Sequence, residues 1–310
     1  MSHTNRQPAR RERGSLYQEV TDCIVAELEQ GRFPWVQPWG GASATLGLPK
    51  NAATARQYSG INILVLWGAV IEKSYRGQNW LTFRQALTLG GCVRKGEKGT
   101  TVFYADKFIP KGEAERAAKD GDDPNAVPFL KRFTVFNVDQ CDGLPASAFA
   151  GIAPLPAREL IPHAESVIAA TGADFRIGGN RAFYQKVDDF IQVPPQPAFF
   201  QQIDYYRTCF HELGHWTGAK HRLARDHSGR FGSHPYAREE LVAEMSSAFV
   251  CAALGITPTV RHADYLGNWL DVLKEDNRAI FRAASQASKA ADFILAFRGQ
   301  PQTRAAEVAA

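Results

Sequence analysis

The sequence predicts an α+β chain of two domains, and three observations carry that reading. Stretches of helical spacing are accompanied by short β-branched or aromatic runs that read as strands. An Ala/Pro-rich stretch, residues 146–158, interrupts the pattern near the middle and reads as a linker. The 310 residues are enough for two ordinary cores, and 45% hydrophobic with 22% charged is a globular balance.

Residues 1–14 carry Arg6, Arg10, Arg11 and Arg13 with little that is apolar, and are expected to form a disordered basic arm. Domain one is then residues 15–145. Tyr17, Val20, Ile24, Val25 and Leu28 fall at helical spacing, with Gly31 as the stop. A Trp/Pro/Gly-rich loop covers 33–49, and a second helix is expected over 61–73. Thr82 is a candidate N-cap for a short helix over 83–89, ended by Gly90 and Gly91. Strands are expected at 100–104 and 132–138, with an exposed charged excursion at 111–125 between them. Domain two is residues 159–298, followed by a disordered tail over 299–310. It should open with a helix over 160–171, continue with strands at 175–177, 181–184 and 190–193, and end in helices over 200–217, 237–254 and 264–290. The Ala-rich end of that last helix, 283–290, reads as weakly packed.

The longest apolar run, Ile61 to Ile71, is too short to span a bilayer, so no membrane partner is expected. The first residues lack an apolar signal segment, which points to a cytoplasmic protein. The five cysteines are scattered and never spaced C-x-x-C, arguing against a disulfide framework or a cysteine zinc site. Net charge is only +4, but residues 31–110 hold ten Lys/Arg against three Asp/Glu, together with four of the six tryptophans. A basic, aromatic-rich segment is an electrostatic footprint for nucleic acid.

The sharpest motif is His211-Glu212-Leu213-Gly214-His215. On a helix, i and i+4 share one face, so both imidazoles can reach one tetrahedral Zn²⁺. Glu212 lies at the same end, where it can act as general base on a metal-activated water. A catalytic zinc needs a third protein ligand. His221 fits the metzincin spacing H-E-x-x-H-x-x-G-x-x-H, but the only later methionine, Met245, lies inside a helical pattern rather than in a Met-turn. Glu240 and Glu244 stand one turn apart on an otherwise apolar helix, where an inward carboxylate needs a cation. Glu240 is therefore favoured as third ligand, with Glu244 holding the far nitrogen of a ligand histidine. Tyr236 is an oxyanion candidate, with His234 and Arg238 nearby in sequence. Residues 181–184 can form an edge strand that receives an extended substrate.

These residues resemble a known family. Tyr17-Gln18-Glu19-Val20, Pro34-Trp35, Pro38-Trp39, Leu48-Pro49-Lys50-Asn51, Tyr58-Ser59-Gly60-Ile61-Asn62, Trp80-Leu81-Thr82-Phe83-Arg84-Gln85-Ala86, Gly90-Gly91, Val93-Arg94-Lys95-Gly96-Glu97-Lys98-Gly99 and Thr134-Val135-Phe136-Asn137 are similar to the single-stranded-DNA-binding domain of the ArdC antirestriction family, which includes TraC-type primases. His211 to Arg222 and Tyr236 to Glu244 resemble that family's zincin-like domain. The resemblance implies an N-terminal mixed α/β domain that binds single-stranded DNA and a C-terminal zincin-like metallopeptidase domain. It implies a plasmid-encoded factor that blunts restriction during conjugation. It also supports Glu240 as ligand, since the family does not require a histidine at the place of His221.

Single strands are held by aromatic stacking and by cations along phosphates. Trp35, Trp39, Tyr58, Trp80 and Phe83 are the stacking candidates, while Trp67 reads as core. Arg56, Arg84, Arg94, Lys95 and Lys98 are phosphate candidates, with Asn51 and Asn62 as polar contacts. The expected cofactor is Zn²⁺, with Mn²⁺ or another divalent ion as the alternative. The expected partners are single-stranded DNA and a protein substrate that the motifs do not identify. The competing function is a protein that only coats DNA, its metal site structural. Glu212 argues for chemistry, because a structural zinc has no use for a base between its histidines.

Overall fold

A computed structural model of the chain describes residues 16–35, 47–113, 116, 127–149, 157–199, 201–226, 228–230, 232–257 and 265–298. The arm and tail expected at the two ends, most of the 111–125 excursion and much of the linker lie outside these residues.

The N-terminal half begins with α1 (Leu16–Glu29) and is built on a four-stranded sheet. Its strands are β1 (Lys50–Asn51), β2 (Asn79–Leu81), β4 (Thr100–Phe108) and β5 (Val127–Asn137), in the order β1-β2-β5-β4. β4 and β5 form one long antiparallel hairpin, in register from Thr100↔Val135 to Phe108↔Val127. Both run beyond the expected strands because the pairing continues as far as Phe108 and Val127, up to the polar excursion. β3 (Cys92–Val93) and β6 (Cys141–Asp142) form a small antiparallel pair.

Helix α2 (Ile61–Glu72) is apolar on nearly every side, as a helix buried between two layers must be. Its N-cap, Gly60, has φ 59° and donates its N–H to Ser288 Oγ at 2.8 Å. α3 (Phe83–Thr88) starts at Thr82, which forms a reciprocal capping box with Gln85.

The C-terminal half has a three-stranded sheet of β7 (Asp174–Ile177), β8 (Phe183–Gln185) and β9 (Phe190–Val193), ordered β7-β9-β8. β9 runs parallel to β7 and antiparallel to β8, so β8 is an edge strand. Five helices accompany it, α4 (Ala157–Ala170), α5 (Gln202–Trp216), α6 (His234–Ala253), α7 (Leu266–Glu275) and α8 (Ala279–Leu295), and of these α5 packs on the sheet. α6 is buried along almost its whole length between α5 and α8.

Two expectations for this half are corrected. The single helix expected over 264–290 is two helices. Asp276 is extended at the C-cap of α7, and its Oδ1 accepts the Arg278 amide at 2.9 Å, which stops one helix and opens the next. The Ala-rich stretch is not loosely packed. Ala283, Ala284, Ala287 and Ala290 are all buried, their small side chains allowing α8 to lie close on α6.

The interiors of the two halves merge into one apolar cluster. Thr21 Oγ1 on α1 donates to the Asn277 carbonyl at 2.8 Å, and Lys274 pairs with Glu29 at 2.7 Å. Tyr17 packs edge-on against Phe281, Trp67 against Phe249 and Phe103 against Phe281. Thus α1, though N-terminal in sequence, sits on the helices of the C-terminal half.

Candidate metal centre and nucleic-acid surface

α5 presents His211 and His215 on one face, their rings 4.9 Å apart. Across from them α6 presents Glu240. One ligand atom from each of His211, His215 and Glu240 lies within 4.8 Å of the other two. Glu240 Oε2 is 3.5 Å from His211 Nε2, and its Oε1 is 3.6 Å from His215 Nε2. The helices can come this close because residue 214 is glycine. A Cβ there would meet Ala243 Cα at 3.1 Å and Ala243 O at 3.3 Å.

The far nitrogens of both imidazoles face carboxylates. His211 Nδ1 is 3.2 Å from Glu244 Oε2, the arrangement expected from the sequence. His215 Nδ1 is 3.3 Å from Glu239 Oε1. Sequence reasoning gave Glu239 no role, although it stands next to Glu240 in the same acidic run. Arg225 completes this shell. It bonds both Glu239 oxygens, at 2.7 and 3.0 Å, and donates to the Gly214 carbonyl and to Thr217 Oγ1.

Burial disfavours charge on His211, yet Glu240 and Glu244 outweigh it and raise its pKa to about 9. The same opposition, won by Glu240 and Glu239, raises His215 well above an ordinary histidine. Burial also opposes ionisation of Glu240, but the two imidazoles hold it far below the usual carboxylate range. The carboxylates around the two imidazoles thus favour positive charge at this point. Two nitrogens and one carboxylate oxygen aimed at a common point fit Zn²⁺ or Mn²⁺. Glu212 is buried, and its carboxylate makes no hydrogen bond or ion pair among the described residues. It is therefore available as a base. Tyr236 comes within hydrogen-bonding range of Glu240, and its hydroxyl is 3.1 Å from that of Tyr265. Burial, Tyr265 and Glu240 push the Tyr236 phenol far up, so it stays neutral and able to donate.

Other expectations fall away. His221 is largely exposed, lies 3.4 Å from Asp189 and is not among the clustered ligands. It follows the end of α5, where the chain has already turned from the metal-facing side. Its neighbour Arg222 is the structural residue there. Arg222 forks onto Asp189, covers the Trp216 ring at 3.9 Å and bonds the Trp216 carbonyl, tying the turn after β8 to the end of α5. His234 pairs with Glu275 at 2.9 Å, and Arg238 faces the opposite side of α6, so neither joins the centre.

In the N-terminal half, burial removes two stacking candidates. Trp35 is 0% exposed and packs edge-on against Trp269 at 5.6 Å, while Trp80 is 0% exposed against Tyr75. Their pairing with proline or strand residues in the sequence gave no sign of the apolar neighbours supplied from elsewhere. Trp67 is core, as expected. Trp39 lies outside the described residues. Tyr58 is half-buried and bonded to Asn51. Asn51 is committed as well: Oδ1 accepts the Ala53 and Thr54 amides, and Nδ2 donates to Gln85. Asn62 is taken up by the Phe103 backbone. Arg94 is held by Glu97, Asp142 and the Asp139 carbonyl, so it clamps its own loop.

What remains on the surface is Phe83, 53% exposed, packed edge-on against Phe136, with exposed Arg84 beside it in the first turn of α3. Asn51 ties this turn to the loop bearing exposed Arg56, whose carbonyl accepts the Asn51 amide at 2.8 Å. Lys98 adjoins from the other side, because Gly99 lies directly against Phe136 and Thr134. Lys95 is exposed in the same loop.

A histidine pair with an intervening Glu on one helix, a Glu facing the pair from the next and a small mixed sheet with a free edge are the features of a zincin-like metallopeptidase fold. Residues 162–286 match the family described as zincin-like metallopeptidase, and residues 14–136 match the N-terminal domain of anti-restriction factor ArdC. The chain belongs to the ArdC antirestriction family. It is similar to the ArdC protein of plasmid R388 in its metal-free crystal structure, at 41% identity and a TM-score of 0.75, over 92% of this chain and 98% of that one. Against the Mn(II)-bound structure of the same protein the values are 40% and 0.76, over 93% and 100%. An uncharacterised protein of Sinorhizobium fredii, y4eC, is 39% identical over 93% of this chain and 94% of its own length. The DNA primase TraC of Escherichia coli is 38% identical over 91% of this chain, which spans 27% of that longer protein. The chain thus joins a TraC-related N-terminal domain to a zincin-like one. No helix among the described residues is long and apolar enough to cross a membrane.

Proposed function

We propose that this protein is an antirestriction factor that holds single-stranded DNA on its N-terminal half and cleaves a protein substrate at a divalent-metal centre in its C-terminal half. The observation that carries the peptidase reading is the convergence of His211, His215 and Glu240 beside an uncommitted Glu212. His211, His215 and Glu240 hold Zn²⁺ or Mn²⁺, Mn(II) being the ion in the similar ArdC structure. The chemistry the ion supplies when bound is acidification of water and polarisation of a carbonyl. Glu212 takes up the proton from the attacking water and passes it to the leaving amine. Tyr236 donates its hydroxyl to the oxyanion that develops on the substrate. Glu244 and Glu239 fix the tautomer and orientation of the two imidazoles. β8, an edge strand tied to α5 through Arg222, is placed to align an extended substrate.

The DNA surface is Phe83 backed by Phe136, flanked by Arg56, Arg84, Lys95 and Lys98. It lacks a groove-reading element, so little sequence preference is expected. The chain acts in the cytoplasm on DNA entering by conjugation.

The test compares Glu212→Ala with the parent in plasmid transfer into a restricting host, after both show equal metal content and equal single-strand affinity. Loss of protection with DNA binding intact is the expected result. Full protection would show that antirestriction rests on DNA coating and that the peptidase site is not needed for it.

A further inference from the structure

Beyond Glu239 and Arg225, as seen from the metal centre, lies a cavity of about 340 Å³, between the loop 223–226, the start of α6, and helices α7 and α8. That volume falls in the range of small-molecule sites, roughly 300–1,000 Å³. Its apolar wall includes Leu241, Val242, Val272 and Ala283. Three arginines also line it, against two acids, Asp226 and Glu239. Arg225 is matched by Glu239, and Arg282 is paired with Asp276. Asp226 accepts the Ser228 amide at 2.8 Å. Arg238 is different. It makes no hydrogen bond or close ion pair among the described residues, the acid whose charge it feels, Asp276, being already paired with Arg282, and its Nε is shielded from water without a hydrogen-bond partner. A shielded guanidinium N–H left unpaired is costly unless water or a ligand meets it. The planar fork of arginine matches a carboxylate, and the adjoining wall matches an apolar body.

We propose that this cavity is a binding site for a small organic carboxylate, its charge held by Arg238 and its apolar portion seated against Leu241, Val272 and Ala283. The site borders the metal centre through Glu239 and Arg225 but contains none of His211, His215 and Glu240, and the DNA surface is not part of it.

The experiment is calorimetric titration of the full-length protein with benzoate, with the uncharged isostere benzamide and with inorganic phosphate. Two variants are run beside the parent after their thermal melts show a folded protein: Arg238→Gln, which removes the charge, and Ala283→Leu, which fills the cavity without touching an ionic group. Benzoate is expected to saturate the parent, with benzamide and phosphate at least tenfold weaker. Each variant should weaken benzoate at least tenfold. The proposal is overturned if the parent does not bind benzoate. It is equally overturned if both variants bind it as the parent does, since benzoate held at the metal centre would be indifferent to either change. Phosphate binding as tightly as benzoate, with Ala283→Leu unaffected, would reduce the site to surface charge and also overturn it.

Discussion

Replacing Gly214 by alanine tests whether the spacing of α5 and α6 sets the metal centre. The new Cβ would lie 3.1 Å from Ala243 Cα, 3.3 Å from its Cβ and 3.3 Å from its carbonyl oxygen. These are backbone or near-backbone atoms of a buried helix, so the strain cannot be relieved by turning a flexible side chain. Two effects oppose each other. Alanine in place of glycine within a helix contributes about 1 kcal/mol. Overpacking a tight contact costs about 1–3 kcal/mol. The net effect on the metal-free protein is between nothing and about 2 kcal/mol of destabilisation, a fall in Tm of a few degrees. The metal reads the change more sharply. Ala243 follows Glu240 by less than one turn, so pushing it back by a few tenths of an ångström carries Glu240 away from His211 and His215. Metal affinity is expected to fall about tenfold or more, as mis-set ligands do. Mn²⁺ titration, paired with thermal melts of the metal-free protein, gives both numbers. A variant that melts lower but binds Mn²⁺ as tightly as the parent would refute the reasoning, because the strain would then have relaxed without moving Glu240.

Four further outcomes follow from the same geometry. Glu239→Gln removes the carboxylate from His215 Nδ1 and is expected to weaken metal binding about 10- to 100-fold while leaving all three ligands in place; unchanged affinity in a chelator competition would show that Arg225 and Glu239 only brace the helix. The raised pKa of His211, about 9 when metal-free, fixes a sign. Its contribution to folding is fully present below about pH 6.5, the unfolded value, and is lost as pH rises towards 9, so urea midpoints of the metal-free protein should fall across that window while metal affinity rises. Trp35→Ala should cost about 3–5 kcal/mol of stability because it empties the contact with Trp269. Phe83→Ala should leave the melt nearly unchanged and weaken single-strand affinity by about 1–3 kcal/mol, with fluorescence anisotropy as the readout; the reverse pattern would return the stacking role to the tryptophan.

Much of this protein was legible in its sequence because the signals were local. The spacing of His211, Glu212 and His215 needs only a helix to place all three on one face. The choice of Glu240 over His221 came from the oddity of a carboxylate among Leu241, Val242 and Met245. The edges of α3 followed from its capping box, and those of α2 and α5 from periodicity and flanking glycines, which are local signals. Other features depended on partners remote in sequence. Trp35 and Trp80 carry the composition of a stacking platform, yet their indoles are covered by Trp269 and Tyr75. Asn51 and Arg94 have the chemistry of DNA contacts, but Gln85, Glu97 and Asp142 had already taken their hydrogen bonds. Glu239 looked like one more surface acid until α6 was turned to set it against His215. By itself, then, the sequence determined the helix that carries His211, Glu212 and His215 and the side-chain types gathered on its one face, because helix geometry is a property of consecutive residues. Which aromatics face water, which cations remain unpaired and which carboxylates hold the imidazoles were decided only by tertiary structure. Exposure and pairing are properties of the surfaces that two distant segments present to each other.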